Sequence, residues 1–227
     1  MKTIIESMKE KNDKVAKKLK DRRLFNRIYV WEKDPVLPDV DIDIGLQRIV
    51  KLIPKSYFNN IDSIFIGQFA ELNNRNLNAL YQDNAIYVSN MIMDTSEFMK
   101  NIVHELAHAV HDEYCDLVDE NEAVMNEFFV KRRQLKKILH LNGYDVQNQN
   151  FENLEYDQNF DVYLYQEIGY PIMHTLTINL FISPYAATSY KEYFANGFEH
   201  YYLNDFTSVK QISPKLFSLL TKIESIE

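Results

Sequence analysis

Apolar residues recur along this chain with two periods, and the change from one to the other divides it. Ile4, Ile5, Met8, Val15 and Leu19 form a thin stripe in a highly charged stretch, which predicts a helical arm over residues 1–27. Ile28–Trp31 and Ile61–Phe69 read as strands, and Ile42–Leu52 between them as a helix that ends near Pro54. Residues 79–81 and 85–89 flank Gln82-Asp83-Asn84, the pattern of a hairpin or of a strand with a bend. From residue 94 onward the spacing becomes helical. Phe98, Ile102, Leu106, Ala109 and Val110 recur at three- and four-residue steps, behind Asp94, Thr95 and Ser96 as N-cap side chains and Glu97 as a first-turn acid. Further helices are predicted over 120–140, 160–166, 189–203 and 214–223. Five glycines, no repeat and no low-complexity tract leave no obvious linker, so residues 1–227 are expected to form one domain. The expected fold class is α+β: mostly helical, with a small twisted sheet ahead of the helix that starts near residue 94.

Composition narrows the function. The chain is 46% hydrophobic, enough for a real core, and its fifteen tyrosines and fourteen phenylalanines are ordinary packing for the most part, with some free to line a groove. A net charge of −8 argues against nucleic acid, whose phosphates would be repelled. The basic cluster from Lys14 to Arg27 reads as the solvated face of the N-terminal helix. Cys115 is the single cysteine, so an internal disulfide is impossible. No apolar run follows the first lysines, and the stretch Leu176–Ile182 is too short to span a bilayer. No membrane association is expected, and the simplest location is the cytoplasm, or a host's cytoplasm if the gene is viral.

Within the helix at 94 stands His104-Glu105-Leu106-Ala107-His108. Residues four apart lie one turn apart on the same helical face, so both imidazoles can reach one metal ion. Two nitrogens on one face supply two of the ligands of a tetrahedral zinc ion, and Glu105 is placed to act as general base toward a water. Both histidines point away from the apolar stripe, so the helix can pack by one side and hold metal by the other. His111 shares their face but lies about 10.5 Å of helical rise from His104, beyond the reach of bonds of about 2.1 Å. It is expected near the cleft rim or behind the ligands. A small sheet, a zinc helix and then more helices is the order a zincin-type metallopeptidase needs.

Two glutamates compete for the third ligand position. Glu127 follows His108 by nineteen residues, a spacing resembling that of the zinc aminopeptidases; otherwise it pairs with Lys131 one helical turn on. Glu192 stands in Tyr190-Lys191-Glu192-Tyr193-Phe194-Ala195-Asn196-Gly197-Phe198. Ala195 and Gly197 are small enough to let this segment approach the zinc helix closely. Its alternative is a solvated face formed by Glu192, Asn196 and Glu199.

The second segment resembles the catalytic domain of anthrax lethal factor and the related Pro-Pro endopeptidases, over roughly residues 80–225. In that family a glutamate–aromatic–Phe–Ala segment follows the zinc helix and its glutamate binds the metal, and a tyrosine seven residues earlier assists catalysis. Tyr185, in Ser183-Pro184-Tyr185, stands seven residues before Glu192, and Ser213-Pro214-Lys215-Leu216-Phe217 falls where the family has its closing helix. The resemblance implies one zinc ion on His104, His108 and Glu192, with Glu105 and Tyr185 catalytic. The chain departs from the family in two places. The span between the zinc helix and Glu192 is longer, suggesting a helical insertion around 120–170, and Asn196 replaces an acidic residue. Asn196 could still accept a hydrogen bond from a ligand imidazole.

The expected activity is a zinc-dependent metalloendopeptidase acting on a peptide or protein. A peptide would lie along an exposed strand edge, for which Ile86, Tyr87 and Val88 are the candidates. Two alternatives stay open: an aminopeptidase-like zinc hydrolase using Glu127, and a non-catalytic binding protein with a structural zinc. Oligomeric state, cleavage preference and the role of the arm are not written in the sequence.

Overall fold

The computed structural model describes residues 22–75 and 77–226. The chain is α+β, and it divides into two compact units: one takes in the chain up to Lys51 together with Tyr57–Leu106, the other Leu52–Ser56 and everything from Ala107 on.

The first unit is built on a five-stranded mixed sheet. Strand β1 (Arg23–Leu24) is antiparallel to β2 (Ile28–Glu32), and the turn between them places Phe25 and Asn26 at positive φ. That left-handed pair is the geometry of a tight hairpin, whose twist matches the strands it joins. The expected helical arm does not take in Arg23–Arg27, where the chain forms a strand and a turn that lead into β2; its earlier residues lie outside those described. Helix α1 (Ile42–Leu52) follows, then a 3-10 turn (Lys55–Phe58), and the chain returns as β3 (Ser63–Ile66), parallel to β2. A short helix α2 (Ala70–Arg75) precedes a second hairpin, β4 (Ala79–Gln82) and β5 (Ala85–Val88), whose turn puts Asp83 and Asn84 at positive φ.

The strand order is β1-β2-β3-β5-β4, so β5 is interior, parallel to β3 on one side and antiparallel to β4 on the other. Alternation sorts the side chains by face. Ile28, Val30, Ile64, Ile66, Ile86 and Val88 are buried on one side. On the other, the register aligns Trp31, Phe65, Tyr87 and Leu80 across four strands, with ring centroids 5.8 Å apart for Trp31–Phe65 and 5.1 Å for Phe65–Tyr87.

Helix α3 (Thr95–Glu113) carries the paired histidines, and Asp94 starts it by accepting the Glu97 N–H at 2.8 Å. Glu97 in return accepts the Met93 N–H at 2.6 Å, so the two side chains satisfy N–H groups that would otherwise be orphaned at the helix start. Its apolar stripe of Phe98, Ile102, Leu106, Ala109 and Val110 is fully buried, as the spacing requires.

The second unit is helical. After a single turn α4 (Cys115–Val118) comes the long helix α5 (Glu122–Leu141), begun by Asn121, whose side chain accepts the Val124 N–H. Gly143, at φ +85°, ends it with the Tyr144 N–H returning to the Leu139 carbonyl. Helix α6 (Gln158–Val162) runs into a π-helical stretch (Tyr163–Ile168), then α7 (Tyr170–Leu176). A 3-10 turn (Tyr185–Ala187) leads into α8 (Tyr190–Leu203), followed by α9 (Phe206–Ile212) and α10 (Pro214–Glu224). Gly197 of α8 has a specific job. A methyl group there would lie 2.3 Å from Leu216 Cδ2 of α10, so the missing side chain lets α10, rather than the histidine helix, close on α8.

Candidate metal centre

Among the described residues, His104, His108 and Glu192 each offer a ligand atom, and these atoms lie within 4.8 Å of one another. His108 Nε2 is 3.5 Å from Glu192 Oε1. Bonds of about 2.1 Å in a tetrahedron place neighbouring ligand atoms about 3.4 Å apart, so this edge already has the span a zinc ion needs. Two imidazoles and one carboxylate on two helices also match the donor set of zinc sites that keep a position for solvent. Glu192 does not belong to a solvated face: its side chain is 13% exposed and Asn196 is buried. Its helix begins at Ser189, whose hydroxyl accepts the Glu192 N–H at 3.1 Å, so the cap fixes the backbone of the ligand residue itself.

Glu105 is buried, and its Oε2 accepts the Tyr81 N–H at 2.7 Å. Tyr81 lies in β4, the terminal strand of the sheet. An antiparallel strand points alternate residues toward and away from its neighbour. The Tyr81 N–H is one that points away from β5, so the carboxylate sits on the outer edge of β4. The sheet edge is therefore not the one expected. Ile86, Tyr87 and Val88 belong to β5, which is paired on both sides and leaves no edge for a peptide; β4 has that edge.

Tyr185 opens the 3-10 turn ahead of α8. Burial raises its phenol above the ordinary tyrosine value, and the negative charge of Glu192 adds to the effect, so it stays a proton donor. Its ring packs edge-on against Tyr170, centroids 6.4 Å apart. Tyr170 donates to Asp161 Oδ1 at 2.9 Å and Tyr156 to Asp161 Oδ2 at 2.8 Å. Sequence reasoning missed this tyrosine–aspartate cluster. No spacing rule links residues 156, 161, 170 and 185, which come from separate elements and meet only in the folded chain.

Asn196 ties the ligand helix to the tyrosine segment. Its Nδ2 donates to the Glu192 carbonyl at 2.9 Å, and its Oδ1 accepts from Ser183 Oγ at 2.5 Å. Glu127 has a structural post instead of a place in the ligand group. It accepts the Tyr193 hydroxyl at 2.8 Å and the N–H groups of Lys215 and Leu216 at 2.9 and 3.2 Å, which anchors the start of α10. Lys131, its expected ion-pair partner, directs its ammonium to the carbonyls of Leu180 and Ile212 and to Ser213 Oγ. His111 is fully buried rather than at a cleft rim: it holds Asp119 through Nε2 at 2.6 Å and packs against the Phe194 ring. Cys115 is exposed and stands outside the group. Set against protein-family models, curated proteins and solved structures, the chain matches none of them.

Proposed function

We propose that this protein is a zinc-dependent endopeptidase of the zincin type. The observation that carries the reading is the convergence of His104, His108 and Glu192, with Glu192 84 residues after His108 in the chain, so that their ligand atoms lie within 4.8 Å of one another. His104, His108 and Glu192 would hold a zinc ion, which when bound would supply a Lewis acid able to bring the pKa of a water toward about 7. Glu105, held through Oε2 by the Tyr81 amide, would serve as the general base that takes a proton from the attacking water and returns it to the departing amine. Tyr185 donates a hydrogen bond to the oxygen on which negative charge develops. Main-chain groups on the outer edge of β4 hold an extended peptide, which brings its backbone to the strand where Glu105 is anchored.

Glu127 fits an aminopeptidase reading poorly, because both its oxygens already accept hydrogen bonds from Tyr193, Lys215 and Leu216. A purely structural zinc normally has four protein ligands, with cysteine among them, and the group here has three. Replacement of single residues separates the readings. Glu105→Gln should keep stoichiometric zinc, measured by elemental analysis, while cleavage of a peptide library falls by about 10²–10⁴. Glu192→Ala should lose or weaken zinc, whereas Glu127→Ala should keep it and lose thermal stability. Undiminished cleavage by Glu105→Gln defeats the proposal.

A further inference from the structure

Residues 120–170, which lengthen the chain between the two ligand-bearing segments, have no part in the reading so far. Their long helix α5 carries two adjacent buried cations, Lys131 and Arg132, and both reach into the segment that holds Tyr185. Arg132 is 1% exposed. Its Nη1 donates to the carbonyls of Ala187 at 2.7 Å and Thr188 at 3.2 Å, and its Nη2 to that of Asn150 at 2.8 Å. Ala187 closes the turn that Tyr185 opens, and Thr188 immediately precedes Ser189, the cap of the Glu192 helix. One planar guanidinium thus ties two of the carbonyls between Tyr185 and Glu192 to that of Asn150. Lys131 holds the start of the same segment through the Leu180 carbonyl at 2.7 Å. Asn150 begins a loop whose Leu154 carbonyl accepts the Tyr190 N–H at 2.8 Å, a second strut from the same region to the first residue of α8.

A buried guanidinium is a poor device for stability alone. Well-packed apolar residues commonly serve as well or better, since no charge then has to leave water. Here the cost is visible: Arg132 Nε has no hydrogen-bond partner, and the guanidinium is packed over the Phe160 ring at 4.1 Å. What an apolar side chain cannot do is hold three carbonyls in fixed directions.

We infer that Arg132 is a positioning residue, which fixes the segment from Tyr185 to Glu192 so that the phenol and the carboxylate are presented together, and that the 120–170 insertion belongs to the site as its brace. The inference rests on the metal-site reading for its functional consequence, but the bracing itself is testable without it.

The test compares Arg132→Met and Arg132→Lys with Leu135→Ala, a packing control at a fully buried position on the same helix, all in the full chain. Readouts are thermal midpoint, amide hydrogen exchange over residues 183–192, affinity for Co(II) by chelator competition, and the visible spectrum of bound Co(II). Arg132→Met should speed exchange in 183–192, weaken Co(II) binding about 10- to 100-fold and alter its spectrum, in the range found when groups behind metal ligands are lost. Arg132→Lys, which retains charge without the fork, should fall between. Leu135→Ala should lose stability while keeping the spectrum and affinity. On cleaved peptides Arg132→Met should lower kcat more than it changes KM. Should Arg132→Met fail to fold, Arg132→Lys carries the same comparisons. Wild-type exchange in 183–192 together with an unchanged cobalt spectrum in the arginine variants overturns the inference. If the wild-type protein binds no cobalt, the metal reading falls, and the exchange data still decide whether Arg132 braces the segment.

Discussion

The Tyr185 phenol sits among groups that keep it protonated: burial first, then the charges of Glu192 and Asp161. A donor that cannot ionise near neutral pH is suited to meeting a developing oxyanion. Removal of one such donor typically costs about 10²–10³ in kcat. Tyr185→Phe should therefore lower kcat by that order while zinc content and KM stay near wild type, as steady-state kinetics and elemental analysis would show. Lys131 poses the opposite problem. Burial lowers its ammonium to about 8 from an ordinary 10.5, against the pull of the Glu127 carboxylate. Below about pH 8 the residue is charged in both folded and unfolded chains, and the folded state bears the whole cost of burying it. Between about 8 and 10.5 the unfolded chain binds the extra proton, so the Lys131 contribution to stability rises with pH, by about 3 kcal/mol at most. Subtracting Lys131→Met from wild type cancels the titration of other groups. The difference in unfolding free energy, from denaturant melts at pH 7.5 and pH 10, should grow in favour of wild type.

Helices α8 and α10 depend on a contact that only glycine permits. Gly197→Ala would drive a methyl into Leu216, which is fully buried and has little room to turn. Overpacking of this kind costs about 1–3 kcal/mol, and urea melts should show it. The position was readable as small but not as to its partner, since the expected neighbour was the histidine helix. That pattern holds more widely. That the paired histidines face one way was legible because their geometry is local: one helix, one turn. Glu192 was legible only through resemblance, because its partners lie in a different element far along the chain. The hairpin of β4 and β5 could be read from Asp83 and Asn84, yet which strand meets β3 is a matter of tertiary pairing, so the sheet edge was assigned to the wrong one. Helices α7 and α9, of seven residues each, are too short for periodicity to declare them. Lys131 was expected to pair with Glu127 one helical turn away, and Arg132 carried no signal of its own. Nothing in α5 announces that backbone carbonyls from residues 150, 180 and 187 will receive them.

For the molecule as a whole, occupancy of the candidate centre should register as stability. An ion that binds only the folded chain, at a free concentration about 100 times its Kd, adds about 2.7 kcal/mol. In a chain of this size each kilocalorie moves the midpoint by about 2–4 °C, so zinc should raise Tm by roughly 5–10 °C. A chelator should reverse the rise, and His104→Ala or His108→Ala should abolish it in scanning calorimetry. No described helix is long and apolar enough to cross a membrane. The sheet carries one further experimental opportunity. Trp31, the sole tryptophan, stands 44% exposed at the end of the aromatic row formed with Phe65 and Tyr87. Its emission is consequently a private optical label on β2, silent about the tyrosine-rich helices. A gap between its melting curve and that of far-ultraviolet dichroism would time the loss of the strands against the loss of the helices, with no dye attached.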